Sequence, residues 1–132
     1  MANRITSALG AVYKGLVARL TRKGVAVGGT AAYPRVEVHS VIENEPMDKS
    51  GNIRSISCIV ECISDERMAD VMQMNEDNLT LLLSNALSLD KPWYIIHLQP
   101  GQLQELNEVS ETNAVLYRLL QNMTIYVERI TE

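Results

Sequence analysis

The sequence predicts an α+β domain of two layers, in which a mainly antiparallel sheet of about four strands carries two helices on one face. The main observation is a segment that alternates apolar and polar residues with a period of two and leads directly into an apolar stripe of helical period. A second amphipathic helix lies near the amino terminus. Because 132 residues suffice for one core but not for two, we expect a single domain over residues 1–132.

The first predicted element is an amphipathic helix over residues 4–22. Its apolar positions, separated mainly by three or four residues, are Ile5, Ala8, Leu9, Val12, Leu16 and Leu20. Gly24 is a natural stop for this helix. The glycine-rich segment that follows, GVAVGGTAAYP, lacks the spacing of a phosphate-binding loop, so it predicts a flexible connector.

Two strands and a long connection come next. Residues 35–43 alternate apolar and polar side chains, and the same pattern returns in Ile53–Ser64. In the second strand, the residues expected under the helices are Ile56, Cys58, Val60 and Cys62. The connection from Asn44 to Gly51 is longer than a tight turn needs, and loops of this kind are often functional.

A long helix is predicted over Glu66–Leu89, with Ser64 as its amino-terminal cap. Negative charge on Asp65 and Glu66 suits that end of a helix. The expected buried stripe contains Met68, Val71, Met72, Leu79, Leu82, Leu83 and Ala86, and is broken once, at Asn75.

The last third of the chain gives weaker patterns. Trp93–Leu98 predicts a short strand closed by Pro100 and Gly101, whereas Gln102–Glu111 is polar and has no clear assignment. The final segment allows two readings. Ser110, Glu111 and Thr112 would cap a helix over about residues 110–122. Apolar residues also occur at alternate positions from Val115 to Val127, as on one face of a strand. This pattern favours one long strand over residues 114–130, and we predict the strand.

Composition excludes several classes of protein. A hydrophobic content of 46% excludes a disordered chain. The formal net charge of −4, without a basic run, argues against a nucleic-acid or membrane-surface binder. No apolar run approaches the roughly 20 residues that cross a bilayer, and the amino-terminal segment does not have the pattern of a signal peptide. Cys58 and Cys62 would lie about 13 Å apart on one strand face, too far to form a disulfide, so we expect a reducing compartment.

The sequence contains no pattern that predicts catalysis. His39 and His97 have no second ligand at metal-binding spacing, so we expect structural or surface roles for both. Cys58 and Cys62 are expected to be buried, inert thiols. None of the serine-hydrolase, zinc-protease or dinucleotide-binding motifs is present. We therefore expect no enzyme activity, no cofactor and no metal.

Contact surfaces are the expected functional sites. The long loop is charged without an evident packing role, and three isoleucines lie on the strand face opposite the predicted helices, where they would form an exposed apolar patch. The candidate contact residues are Glu43, Asn44, Glu45, Pro46, Met47, Asp48, Lys49, Ile53, Ile59 and Ile63.

The order of elements resembles the tail terminator and tail completion proteins of long-tailed bacteriophages. The resemblance covers nearly the whole chain as an architecture. The sequence segments that support it are YPRVEV at Tyr33–Val38, the strand that runs into Ser64-Asp65-Glu66, and TIYVERI at Thr124–Ile130. Residues 99–113 are the part that fits the family least clearly.

The resemblance implies a structural virion protein of the tail or neck that assembles in the host cytoplasm. Members of that family form a hexameric ring that caps the tail tube, ends its polymerisation and joins the tail to the head connector, while DNA only passes through the lumen. The implied partners are therefore further copies of the chain, the tail tube protein and neck proteins. Two alternatives stay open: another neck component, such as a head–tail adaptor or stopper, and a small cytosolic ligand-binding or regulatory domain.

Overall fold

The computed structural model describes residues 7–22, 24–46, 48–84, 87–109 and 115–130. These residues form α1 (Ala8–Arg22), β1 (Arg35–Glu43), β2 (Ile53–Ser64), α2 (Met68–Leu83), β3 (Trp93–Val109) and β4 (Val115–Arg129). The four strands make one antiparallel sheet in the order β1-β2-β4-β3. The predicted α+β fold class is confirmed.

The core lies between the sheet and the two helices. Helix α1 packs against β1 and β2, and α2 packs against β2 and β4. As predicted, Ile56, Cys58, Val60 and Cys62 are all buried in this core. We call this side of the sheet the helix face and the other side the open face.

Helix α1 begins and ends with local hydrogen bonds. At its start, the backbone N–H of Gly10 donates to Ser7 Oγ at 3.0 Å. At its end, Gly24 has a φ of +84° and its N–H donates to the carbonyl of Thr21. Glycine adopts this left-handed conformation without steric cost, so the predicted stop is confirmed. Residues 4–6 of the predicted helix lie outside the described residues.

The glycine-rich connector is partly attached to the sheet. Val27 forms a parallel bridge with Val36 of β1. The N–H of Gly28 donates to the carbonyl of Val36 at 2.9 Å, and the N–H of Val36 donates to that of Ala26 at 2.8 Å. This part of the segment therefore covers the outer edge of β1 and is not the flexible connector that its composition predicted.

Helix α2 is shorter than predicted at both ends. Ser64 Oγ accepts the N–H of Glu66 at 3.1 Å, which closes a turn before the helix, and the capping position belongs to Arg67, whose side chain makes no capping hydrogen bond. At the other end the backbone is extended at Ser84, and Leu87–Asp90 is not helical. Ser84 Oγ donates to the carbonyl of Leu81 and accepts from the guanidinium of Arg19, so its side chain competes with continued helix.

The buried stripe of α2 differs from the predicted one. Its buried residues are Val71, Asn75, Asn78 and Leu82, so Asn75 is part of the stripe and does not break it. Conversely, Met72 and Leu83 are exposed, and Ala86 lies outside the described residues. Burial of the amides is possible because Asn75 Nδ2 donates to Gln121 Oε1 at 3.4 Å and Asn78 Nδ2 donates to Cys62 Sγ at 3.3 Å.

Strand β3 extends far beyond the predicted Trp93–Leu98. It continues through Pro100 and Gly101, where its register with β4 shifts, and stays paired as far as Val109. Gln121 of β4 donates from Nε2 to the carbonyl of Gly101 at 2.9 Å, so the two strands stay in contact where the register shifts. The final segment forms the strand Val115–Arg129, so the strand prediction is confirmed for its described part.

Candidate interaction surface

The loop between β1 and β2 is organised around Asp48. Its Oδ1 accepts the N–H of Asn52 at 3.1 Å and of Ile53 at 3.4 Å, and its Oδ2 accepts the hydroxyl of Ser50 at 2.7 Å. The hydrogen bond from Ser50 lowers the pKa of Asp48 below its ordinary value. Gly51, with a φ of +70°, completes the turn. Asp48 therefore serves the loop's own conformation.

The two ends of the loop are also anchored. Glu43 Oε2 accepts from Arg54 Nη1 at 2.6 Å. Asn44 Nδ2 lies 3.0 Å from the hydroxyl oxygens of both Ser55 and Ser57. The expectation that the loop's charge has no packing role is therefore wrong for Glu43 and Asp48.

The exposed middle of the loop remains as the candidate contact region. Glu45, Pro46 and Lys49 are exposed, and Met47 lies outside the described residues. Charged side chains on a well-anchored loop suit recognition of another protein, because little ordering is needed on binding. The contact role predicted for these residues stays a prediction.

The three isoleucines of β2 do lie on the open face, but they do not form the expected exposed patch. Ile63 is only 2% exposed, between its register partners Arg35 and Arg118, so the expectation of exposure is wrong for this residue. Ile53 and Ile59 are half-buried. Long polar side chains on the neighbouring strands reduce the exposure of apolar residues between them. The exposed apolar side chains of the open face include Ile42 of β1 and Leu106 of β3, which the sequence had not placed there.

A charged network crosses the open face and was missed by the sequence reasoning. Glu61 of β2 is 1% exposed. Its Oε1 lies 2.6 Å from His39 Nε2 of β1, and its Oε2 accepts from Arg118 Nε of β4. Arg118 also donates to Glu108 of β3. A single chain of contacts therefore links all four strands. Only the register places these residues together, and no local motif could have revealed them.

The electrostatics of this network favour structure over proton transfer. Hydrogen bonding to Glu61 raises the pKa of Arg118 above its ordinary value, with Glu108 acting in the same direction. Both oxygens of Glu61 are occupied by cationic or hydrogen-bonding partners. A buried carboxylate held in this way fixes the positions of its neighbours.

The two cysteines are buried and unpaired. Burial raises the pKa of Cys58 to about 11 and that of Cys62 to about 12. Both thiols therefore stay protonated at neutral pH, which agrees with the predicted inert character.

Within the described residues, no cluster of three or more His, Cys, Asp or Glu side chains is arranged to hold a metal ion. None of the helices among these residues is long and apolar enough to cross a membrane.

Comparison with known proteins gives a structural relationship. No protein-family model and no curated protein sequence matches the chain. Among solved structures, the chain is similar to one chain of the virion of the native gene transfer agent (GTA) particle, with a TM-score of 0.66 and 19% sequence identity. The similarity covers 92% of this chain and 95% of that chain. The two chains therefore share one fold over nearly their whole lengths.

Proposed function

We propose that this chain is a structural virion protein whose copies form a hexameric ring on the end of a tail tube, ending its polymerisation and joining the tail to the head connector. The observation that carries the proposal is the end-to-end similarity in fold to a chain of the GTA virion. The tail-terminator resemblance of the sequence supports the same setting. Fold likeness is an analogy, so the proposal also needs support from the surfaces of the molecule.

The surfaces suit a protein that works by contact. The charged loop between β1 and β2 is held firmly at both ends and exposes its middle, and a cleft of about 560 Å³ lies between α2 and β3. Six copies with a formal charge of −4 each would give the ring about −24, and this like-sign field would keep DNA from adhering as it passes through the lumen. In this proposal the chain needs no cofactor and performs no catalysis.

The proposal is tested on growing tail tubes. Purified tube protein is polymerised with and without this chain, and the ends are viewed by electron microscopy. We expect a ring on one end of each tube and growth arrested at that end. Rings that bind an isolated head connector but leave tube growth unchanged would favour the adaptor or stopper alternative. A chain that binds neither would contradict both virion roles.

A further inference from the structure

The two edges of the sheet differ in how they are covered. At the β1 edge, Val27 of the connector pairs with Val36, and the register of β1 shifts between His39 and Ile42. At the opposite edge, β3 lies beside β4, and no other strand among the described residues pairs with its outer side. An outer side of this kind offers its backbone N–H and C=O groups to a further strand.

The regular part of this edge is the segment Leu103–Val109. The register of β3 with β4 shifts twice, the second time between Pro100 and Leu103, and is then unbroken as far as Val109. Every residue of the segment is exposed, and Leu103, Leu106 and Val109 are 46%, 44% and 64% exposed. The segment contains no Lys and no Pro, two residues with which edge strands commonly prevent pairing with other chains. We call Leu103–Val109 the β3 edge segment.

The β3 edge segment, LQELNEV, keeps its order of apolar and polar residues when it is read in the opposite direction. If two copies lie antiparallel and the pair is centred on Leu106, this residue lies opposite itself and Leu103 lies opposite Val109. Apolar side chains then face apolar side chains at every apolar position of the segment. Facing residues also come from the same face of each sheet, so the helices of both copies lie on one side of the joined sheet.

The polar residues of the segment match in the same register. Glu105 lies opposite Asn107, and Glu108 lies opposite Gln104, so each carboxylate meets an amide that can donate to it. A pair centred on Glu105 would instead place two carboxylates opposite each other and the leucines opposite amides. A pair centred on Asn107 would place both carboxylates opposite apolar residues. The register centred on Leu106 is therefore favoured by its apolar and its polar contacts together.

We propose that two copies of this chain pair through their β3 edge segments around a two-fold axis at Leu106, which joins two four-stranded sheets into one sheet of eight strands. The occupant of the edge is a second copy because the segment is complementary to itself, as a two-fold contact requires. Glu108 also accepts from Arg118 of its own chain. A carboxylate offers about four acceptor positions, so it has room for the amide of Gln104 as well.

The pair goes beyond the proposed ring. A two-fold contact is complete with two copies and cannot repeat around a six-fold axis. The pair therefore belongs to the chain before it enters a ring, and it covers an edge that would otherwise invite unspecific association. Because dilution dissociates a ring of six copies more than a pair, the pair is best measured in dilute solution.

Cross-linking of Leu106→Cys tests the two-fold axis directly. Residues directly opposite each other in antiparallel strands have Cα atoms about 4.5–5.5 Å apart, within the range of about 4.4–6.8 Å that a disulfide bridges. Oxidised glutathione should therefore join two copies of the full chain covalently through residue 106. The wild type should not be cross-linked, because Cys58 and Cys62 are buried.

Leu103→Cys is the matched control, because Leu103 is similarly exposed on the same strand. In the proposed register the two copies of residue 103 lie about 20 Å apart, so this variant alone should stay without a cross-link. Mixed with Val109→Cys, it should give a covalent pair, because the two positions face each other. A Leu106→Cys chain without a cross-link, or a Leu103→Cys chain that cross-links with itself as readily, would overturn the inference.

Leu106→Glu tests the contact without a covalent bond. In the single chain the new carboxylate lies beside its register partner Arg118, so the fold should be kept, which circular dichroism checks. In the pair two carboxylates would meet at the axis. Ile42→Glu is the control, because Ile42 is 58% exposed at the other edge of the sheet.

Sedimentation in dilute solution measures the result. We expect twice the 14.7 kDa mass of a single chain for the wild type and for Ile42→Glu, and the single mass for Leu106→Glu. A wild type that never shows the double mass, or a Leu106→Glu chain that keeps it, would contradict the pair, whatever the outcome with tail tubes.

Discussion

Glu61 shows how a single charged residue can hold a sheet together from its solvent side. The residue is almost fully buried, yet both carboxylate oxygens have partners, on β1 and on β4. Removing one partner of a buried ion pair is costly because the other charge stays behind without compensation. Glu61 lies between Val60 and Cys62, so the alternation of β2 directs it away from the helices, but only the register shows its partners.

Glu61→Ala is expected to lower the free energy of unfolding by about 1–3 kcal/mol, because Arg118 and His39 lose their common acceptor and Arg118 keeps Glu108. Urea denaturation measures this value. Glu37→Ala is the control, since Glu37 lies on the same face and forms an ion pair with Arg35, and it should cost no more than about 1 kcal/mol. Equal losses for the two variants would show that the network has no special role.

The burial of Cys58 should make the free energy of unfolding depend on pH in the alkaline range. Burial raises the pKa of Cys58 from an ordinary 9.0 to about 11, so above pH 9.0 the unfolded chain releases a proton that the folded chain keeps. The contribution of Cys58 to stability is therefore complete below pH 9.0, the pKa of this thiol in the unfolded chain. It is lost as the pH rises toward about 11, the pKa of the thiol in the folded chain. Cys58→Val should therefore lose stability less steeply than the wild type over that interval. Parallel curves from denaturation at a series of pH values would contradict the assigned burial effect.

At the scale of elements, sequence reasoning worked where a period was regular and failed where polar residues took part in the core. The bounds of β1 and β2 were predicted correctly, although the register of β1 shifts between His39 and Ile42 and places Ile42 on the open face. For α2, Asn75 was mistaken for a break because its acceptor, Gln121, lies 46 residues away. The far half of β3 was unassigned because it has no buried face and owes its strand conformation to pairing with β4.

The buried amides of α2 should contribute to its attachment to the sheet. Asn75→Ala removes the donor to Gln121 and is expected to cost about 1–3 kcal/mol of unfolding free energy. Gln73→Ala, on the exposed side of the same helix, should change stability by no more than about 0.5 kcal/mol. Thermal denaturation compares the two, and similar melting temperatures would mean that the Asn75 contact contributes little.

At the scale of the whole molecule, the exposed middle of the loop should affect assembly without affecting the fold. The double substitution Glu45→Lys/Lys49→Glu keeps the net charge and leaves the anchor Asp48 in place. We expect an unchanged melting temperature and weaker binding to tail tubes, because the pattern of charge presented to the partner is reversed. Co-sedimentation with tubes measures the binding. Undiminished binding would remove Glu45 and Lys49 from the contact surface.

At the same scale, the proposed function requires that copies of the chain close into a ring. A head-to-tail contact closes only if its rotation divides the circle, and otherwise it gives open filaments. Native mass spectrometry of the wild-type chain, combined with class averages from negative-stain electron microscopy, tests this most directly. We expect one closed ring with six times the 14.7 kDa mass of a single chain. A chain that stays monomeric, or that grows into open filaments without a fixed mass, would contradict it.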